Sequence, residues 1–207
     1  MGYQKERFGI EDGDADRNCK LRSIFANGGF YSTNDLSDIQ AGLDIGDDTL
    51  GGGLVSAKIV QACEDRTQRC FYVRKAQDGT IEGFIALLYL NAQGFEALMT
   101  GRLRPGAPDL NHLTQEGEAA RALYVWCLAA RTEASKRALV KAVTLARRKA
   151  FNHIPIFARP VSREGRMMTA ALDAPNGPAS WLGWIPQTQD NEVLGNLGGE
   201  NGRIAAE

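Results

Sequence analysis

The sequence predicts a mixed α/β fold: a mostly antiparallel sheet with helices on both faces, in a single domain over residues 1–207. Three observations predict it. Residues 70–91, CFYVRKAQDGTIEGFIALLYLN, hold two runs of aromatic and branched residues around an Asp78-Gly79 turn, the mark of a hairpin. Residues 122–151, ALYVWCLAARTEASKRALVKAVTLARRKAF, pass from an apolar run through a short polar joint into a basic amphipathic helix. A further strand-like run, IPIFARP, closes a strand–helix–strand unit, expected to be right-handed.

The elements follow in order. Residues 1–16 are polar and read as a mobile tail, as do residues 196–207. CKLRSIFANGG is a short helix stopped by Gly28 and Gly29. TNDLSDIQAGL opens a helix with Thr33 or Asn34 as cap and Asp35 in the first turn. GDDTLGGG reads as a loop, and LVSAKIVQACED carries Leu54, Ile59 and Cys63 at near-helical spacing. In the hairpin, the run from Phe84 to Leu90 is almost wholly apolar, as a strand covered on both faces must be. FEALM is one or two helical turns, and RLRPGAPDLNHLTQEGEA is a long loop. Residues 122–130 form a second buried strand. In the helix at 134–151, Leu139, Ala142, Val143, Ala146 and Ala150 make one apolar stripe, and Arg137, Lys141 and Arg148 fall off it. A strand at 155–159, a helix in SREGRMMTAAL capped by Ser162, a PNGPAS turn and a short WLGWIP strand complete the chain, with at most one edge strand after them.

An apolar fraction of 43% and a charged fraction of 24% describe a globular protein. With a net charge of −1, no global field marks the chain for nucleic acid or a membrane surface. The charge is uneven, however. Glu11, Asp12, Asp14, Asp16, Asp44, Asp47 and Asp48 make the first third acidic. Arg131, Lys136, Arg137, Lys141, Arg147, Arg148 and Lys149 stand against Glu133 alone in residues 131–149. The basic helix lacks the interleaved aromatics of a nucleic-acid binder. Cys19, Cys63, Cys70 and Cys127 form no CxxC pair, so they read as reduced thiols of a cytoplasmic protein and not as metal ligands. The N-terminus has no apolar signal region and lacks the myristoylation pattern, and no run is long enough to span a membrane.

The chemistry points to the joint between the strand at 122–130 and the helix after it. The first amides of a helix have no partner within it, and the helix dipole adds positive charge there. Together these favour an anion, and Arg131, Lys136, Arg137 and Ser135 stand close by in sequence. Two readings stay open: an anion site, and a buried strand followed by a helix with a solvated face.

The order of elements resembles the GNAT family of N-acetyltransferases. RTEASKRALV keeps the spacing of that family's pyrophosphate loop, with Arg131 first, Ala134 and Lys136 at the two glycine positions and Leu139-Val140 at the apolar pair. WLGWIP is similar to its Leu-Gly-Phe signature, with Trp184 for Phe, and Gly83-Phe84 to its central hairpin. The likeness covers roughly residues 60–190. It implies acetyl-CoA or another acyl-CoA as cofactor, held by Leu128, Ala129, Ala130, Arg131, Ala134, Ser135, Lys136 and Arg137, with the Leu128 amide polarising the thioester carbonyl. It implies direct transfer to a small-molecule or peptide amine. Glu116, Glu118 and His112 are candidates for the base, and Tyr124 is a candidate acid or base on the strand. SREGRMMTAAL lacks the family's Tyr; Ser162 and Thr169 are the substitutes, and Met167 and Met168 read as core. His153 reads as a helix cap and Cys127 as an inert buried thiol. Two rivals share the fold: a non-catalytic protein that acts through a protein partner, and an acyl-homoserine-lactone-synthase-like enzyme whose basic helix docks an acidic carrier. A homodimer is compatible with any of these.

Overall fold

The structure, a computed structural model, describes residues 12–152, 154–171 and 181–182. One open sheet runs in chain order: β1 (Phe30–Ser32), β2 (Phe71–Lys75), β3 (Ile81–Leu90), β4 (Ala122–Ala130), β5 (Ile156–Ala158) and a two-residue β6 (Trp181–Leu182). The first three pairings are antiparallel, and β4–β5 and β5–β6 are parallel. Six helices join them: α1 (Asp12–Asn27), α2 (Leu36–Leu50), α3 (Ala57–Thr67), α4 (Ala92–Met99), α5 (Glu133–Lys149) and α6 (Arg163–Ala171).

The apolar run in β3 is explained by cover on both faces. Ile85, Leu87 and Tyr89 pack with Leu21, Ile24 and Phe25 of α1 and the Leu139 stripe of α5. Phe84 and Ala86 turn the other way, to Ile39, Leu43 and Val60 of α2 and α3. Leu88 and Leu90 meet Ala97 and Leu98 of α4 and Leu113 of the loop beyond it. The alternation is that of a pleated strand. Gly83 permits the close approach of β3 to the end of β4: a Cβ there would lie 2.9 Å from that of Ala130.

Several elements differ from expectation for local reasons. The helix α1 begins at Asp12, inside the stretch read as a tail. The cap of α2 is Asp35, whose carboxylate accepts the Ser37 and Asp38 amides at 2.8 and 3.1 Å, and not Thr33 or Asn34. From there α2 runs through the expected GDDTL loop and stops only at Gly51, where φ reaches +89°. The strand β1 has no counterpart in the sequence pattern, because three residues with one buried side chain leave no period to read. In the hairpin, Gly79 alone takes positive φ, while the Asp78 carboxylate binds the Thr80 amide. Ser162 caps α6 as expected, accepting the Gly165 amide at 2.9 Å.

The length of β5 decides how much of β4 keeps a neighbour on that side. Pro155 and Pro160 bracket β5. A proline gives the ladder no donor and restricts the residue before it, so pairing ends after Ala158.

Candidate functional site

The two halves of β4 have different neighbours. Leu123, Tyr124 and Val125 pair with Ile156, Phe157 and Ala158. Among the described residues, from Trp126 to Ala130 the strand pairs with β3 alone. At the change lies a bulge. Ala86 faces Cys127 and Leu87 faces Val125, which leaves Trp126 as the extra residue. Its indole N–H donates to the Pro105 carbonyl at 3.0 Å, and its ring bridges the two clusters on the α2–α4 face.

The bulge decides where the backbone points. Before it, the Leu123 amide donates to the Pro155 carbonyl at 3.0 Å, so odd positions face β5. After it, the Arg131 amide donates to the Glu82 carbonyl at 2.8 Å, so odd positions face β3. The even positions Leu128 and Ala130 therefore turn their N–H and C=O groups to the side that β5 has left. Ala129, expected among the cofactor contacts, spends its backbone on the ladder opposite Phe84, and its buried side chain packs under α2.

The start of α5 is occupied by its own side chains. The Thr132 hydroxyl caps the helix by accepting the Ser135 amide at 3.1 Å. The Ser135 hydroxyl, fully buried, donates to Glu82 Oε2 at 2.8 Å. Arg74 stands 3.4 Å from the same carboxylate oxygen. Lys136 pairs with Glu133 at 2.9 Å, which holds the Glu133 carboxyl below its ordinary range. Arg131 reaches Asp48 at 3.4 Å. At the expected diphosphate site, therefore, the Ser135 amide is capped by Thr132 and the Ser135 hydroxyl is bound to Glu82. Ala134 and Arg137 remain exposed on the first turns. Sequence reasoning missed Glu82 altogether, 53 residues from Ser135.

The acid–base candidates are scattered. Glu116 and Glu118 are exposed and precede β4, so they stand at its closed end; Leu128 is six residues beyond Ala122, roughly 20 Å along a strand. The Glu118 carboxylate accepts the Gln115 amide of its own turn at 2.9 Å, and its carbonyl accepts from Arg69 at 2.6 Å. The His112 carbonyl accepts the Asn91 amide at 3.1 Å beside α4. Tyr124 is buried with Phe157, and burial pushes its hydroxyl up to about 12 against the pull of Arg159. Burial likewise pushes the Cys127 thiol up to about 12, so it is protonated at neutral pH. Cys127 and Trp126 instead line a small open hollow with Leu43, Leu54, Val60 and Ala86, mostly apolar. Three glycines, Gly51 to Gly53, lead into its Leu54 wall.

His153, the PNGPAS turn, Trp184 and the rest of the expected signature after Leu182, and residues 196–207 lie outside the described residues, as does the Thr169 side chain. Among the described residues, no helix is long and apolar enough to cross a membrane, and no cluster of His, Cys, Asp or Glu could hold a metal ion. Compared with known proteins, the chain matches no family model, no curated protein and no solved structure.

Proposed function

We propose that this chain transfers an acyl group from a pantetheine thioester to an amine, through the GNAT-like arrangement its sequence resembles. The observation that carries this reading is the half-paired strand: among the described residues, β4 continues past β5 with the Leu128 and Ala130 backbone groups turned to the side where β5 ends. A pantetheine arm carries amides, and it would lie along that edge as an added strand does. The Leu128 N–H would meet the thioester oxygen as negative charge builds on it. The amine nitrogen attacks the carbonyl carbon, a C–N bond forms and the C–S bond breaks. The proton lost by the nitrogen passes through solvent to the departing thiolate. The apolar hollow beside Trp126 suits the acyl carbons. Acetyl-CoA or another acyl-CoA is the first donor to test, and the acceptor is a small-molecule or peptide amine.

A second reading is a non-catalytic protein of the same fold that acts through a protein partner. Two observations favour it: the self-capped start of α5, and the distance of Glu116 and Glu118 from Leu128. Thermal shift separates the two readings. Acyl transfer predicts that acetyl-CoA and S-acetyl-pantetheine both raise the melting temperature by mass action while free diphosphate does not. No shift with either thioester at millimolar concentration would overturn acyl transfer and leave the partner-binding reading.

A further inference from the structure

Resting on the acyl-transfer reading, we infer that Leu54 is the specificity-determining residue of the site: its side chain walls the hollow beside Trp126 and sets the length of the aliphatic acyl chain that the hollow takes. Position tells what the hollow receives. Cys127 and Leu128 share a peptide bond, so a thioester carbonyl held on the Leu128 N–H brings its acyl carbons beside the Cys127 side chain. The lining has little to offer an ammonium group. The Trp126 indole N–H already donates to the Pro105 carbonyl at 3.0 Å, the Cys127 thiol is neutral, and the other lining side chains are hydrocarbon. Such a lining takes carbon and leaves the amine acceptor outside.

The walls of the hollow differ in how they are held. Ala86 and Cys127, paired across β3 and β4, are small and buried, and they form its floor. Leu43 of α2 and Val60 of α3 are buried in the same cluster. The core fixes these four. Leu54 is only partly buried and hangs from the connection between α2 and α3. Gly51, Gly52 and Gly53 lead to it, with φ of +89°, +88° and +86°, a conformation that L side chains rarely adopt. No atom lies within 4 Å of where their Cβ atoms would stand, so the run packs on nothing. Asp47 accepts the bonds that tie it down. Its carbonyl takes the Gly51 and Gly52 amides at 3.0 and 3.1 Å, and its carboxylate takes the Leu54 amide at 3.3 Å. The Leu54 side chain then rests on α2, where Gly46 makes room: a Cβ at Gly46 would collide with Leu54 Cδ1. Glycine is a poor residue for a helix interior, and at Gly46 it seats Leu54. A change at Leu54 therefore alters the depth of the hollow and leaves the pairing of β3 with β4 intact. Depth translates into chain length, because each methylene buried strengthens binding about fourfold until the chain meets the wall.

The test titrates the full chain with S-acetyl-, S-butyryl-, S-hexanoyl- and S-octanoyl-pantetheine by isothermal calorimetry, in wild type, Leu54→Ala and Leu54→Phe. In wild type, affinity is expected to rise about fourfold per methylene from acetyl to butyryl and to have fallen by octanoyl. Leu54→Ala deepens the hollow and should move the best-bound chain to a longer one. Leu54→Phe should move it to a shorter one. Opposite shifts from one position distinguish a wall from a purely structural residue, whose loss would weaken all four thioesters alike. Circular dichroism checks that each variant folds, and either variant alone reads the direction of the shift. The inference is overturned if octanoyl binds best in wild type, or if both variants rank the four thioesters as wild type does. Thioester binding with either of those results would sink this inference and spare acyl transfer. No binding of any of the four would sink both.

Discussion

The two ends of β4 treat polar groups in opposite ways. At the closed end, beside the cluster of Cys63, Cys70 and Tyr124, polar groups are buried and tied to the backbone. Glu64, which borders that cluster through Cys70 at the start of β2, is 3% exposed and accepts the Cys70 and Phe71 amides and the Ser32 hydroxyl, all within 2.8 Å. Burial raises the pKa of Glu64, of Cys70 and of Tyr89. At the open end the charged groups form pairs in solvent, and Lys136 lowers that of Glu133. The closed end spends its polar groups on structure, and the open end turns the Leu128 and Ala130 backbone groups away from β3 and leaves Arg137 exposed. The strand end that loses its neighbour is thus the one whose backbone is free to bind, although titratable groups are more perturbed elsewhere.

The largest test of that contrast is a matched pair of truncations. Leu123 is 2% exposed and lies between β3 and β5, so Leu123→Ala should cost about 3 kcal/mol, within the usual range for a buried leucine. Leu128 lies on the same face but is only partly buried past the bulge, and Leu128→Ala should cost about 1 kcal/mol. Urea denaturation of both variants checks this. Equal losses would mean that the back half of β4 is covered, and the proposed slot would be lost.

Much of this contrast could be read in the sequence, and the missing parts share a cause. The hairpin, β4 and the Leu139 stripe of α5 were legible because period and length report them directly. The bulge at Trp126 was not, because an extra residue changes no composition; it is visible only as a change of register against β3. Glu82 was illegible as a partner of Ser135 because the contact forms only once β3 and β4 pair. Pro160 stood in plain view in IPIFARP, but its effect depends on which strand lies beside it. The positions of Glu116 and Glu118 were legible too: they precede a nine-residue strand whose far end was the site.

A smaller effect probes the open end directly. Thr132→Ala removes the hydroxyl that holds the Ser135 amide, and the loss should be about 1 kcal/mol, the usual worth of such a cap. The urea midpoint should fall with its slope unchanged, since no surface class is newly exposed. A variant as stable as wild type would mean that the Ser135 amide is satisfied without Thr132. Thr132 would then not be the group that closes the start of α5, and its assignment as the cap would fall.

The smallest effect belongs to the closed end and depends on pH. Desolvation raises the Glu64 value, and it outweighs the bonds from Ser32, Phe71 and Cys70 that lower it. The folded chain therefore holds a proton on Glu64 at pH values where the unfolded chain has released it. The stability this provides is full below the ordinary carboxylate range and is lost as pH rises through the raised value. Glu64→Gln should remove that dependence. Its carbonyl oxygen can accept both amides, and its amide nitrogen can donate to the Ser32 hydroxyl, so packing survives. Urea midpoints at about pH 4 and about pH 8 should show the stability of wild type relative to the variant falling as pH rises. The opposite slope would mean that the carboxylate is stabilised in its charged form. Glu64 would then behave like the paired acids of the open end, and the distinction between the two ends of β4 would fail on electrostatic grounds.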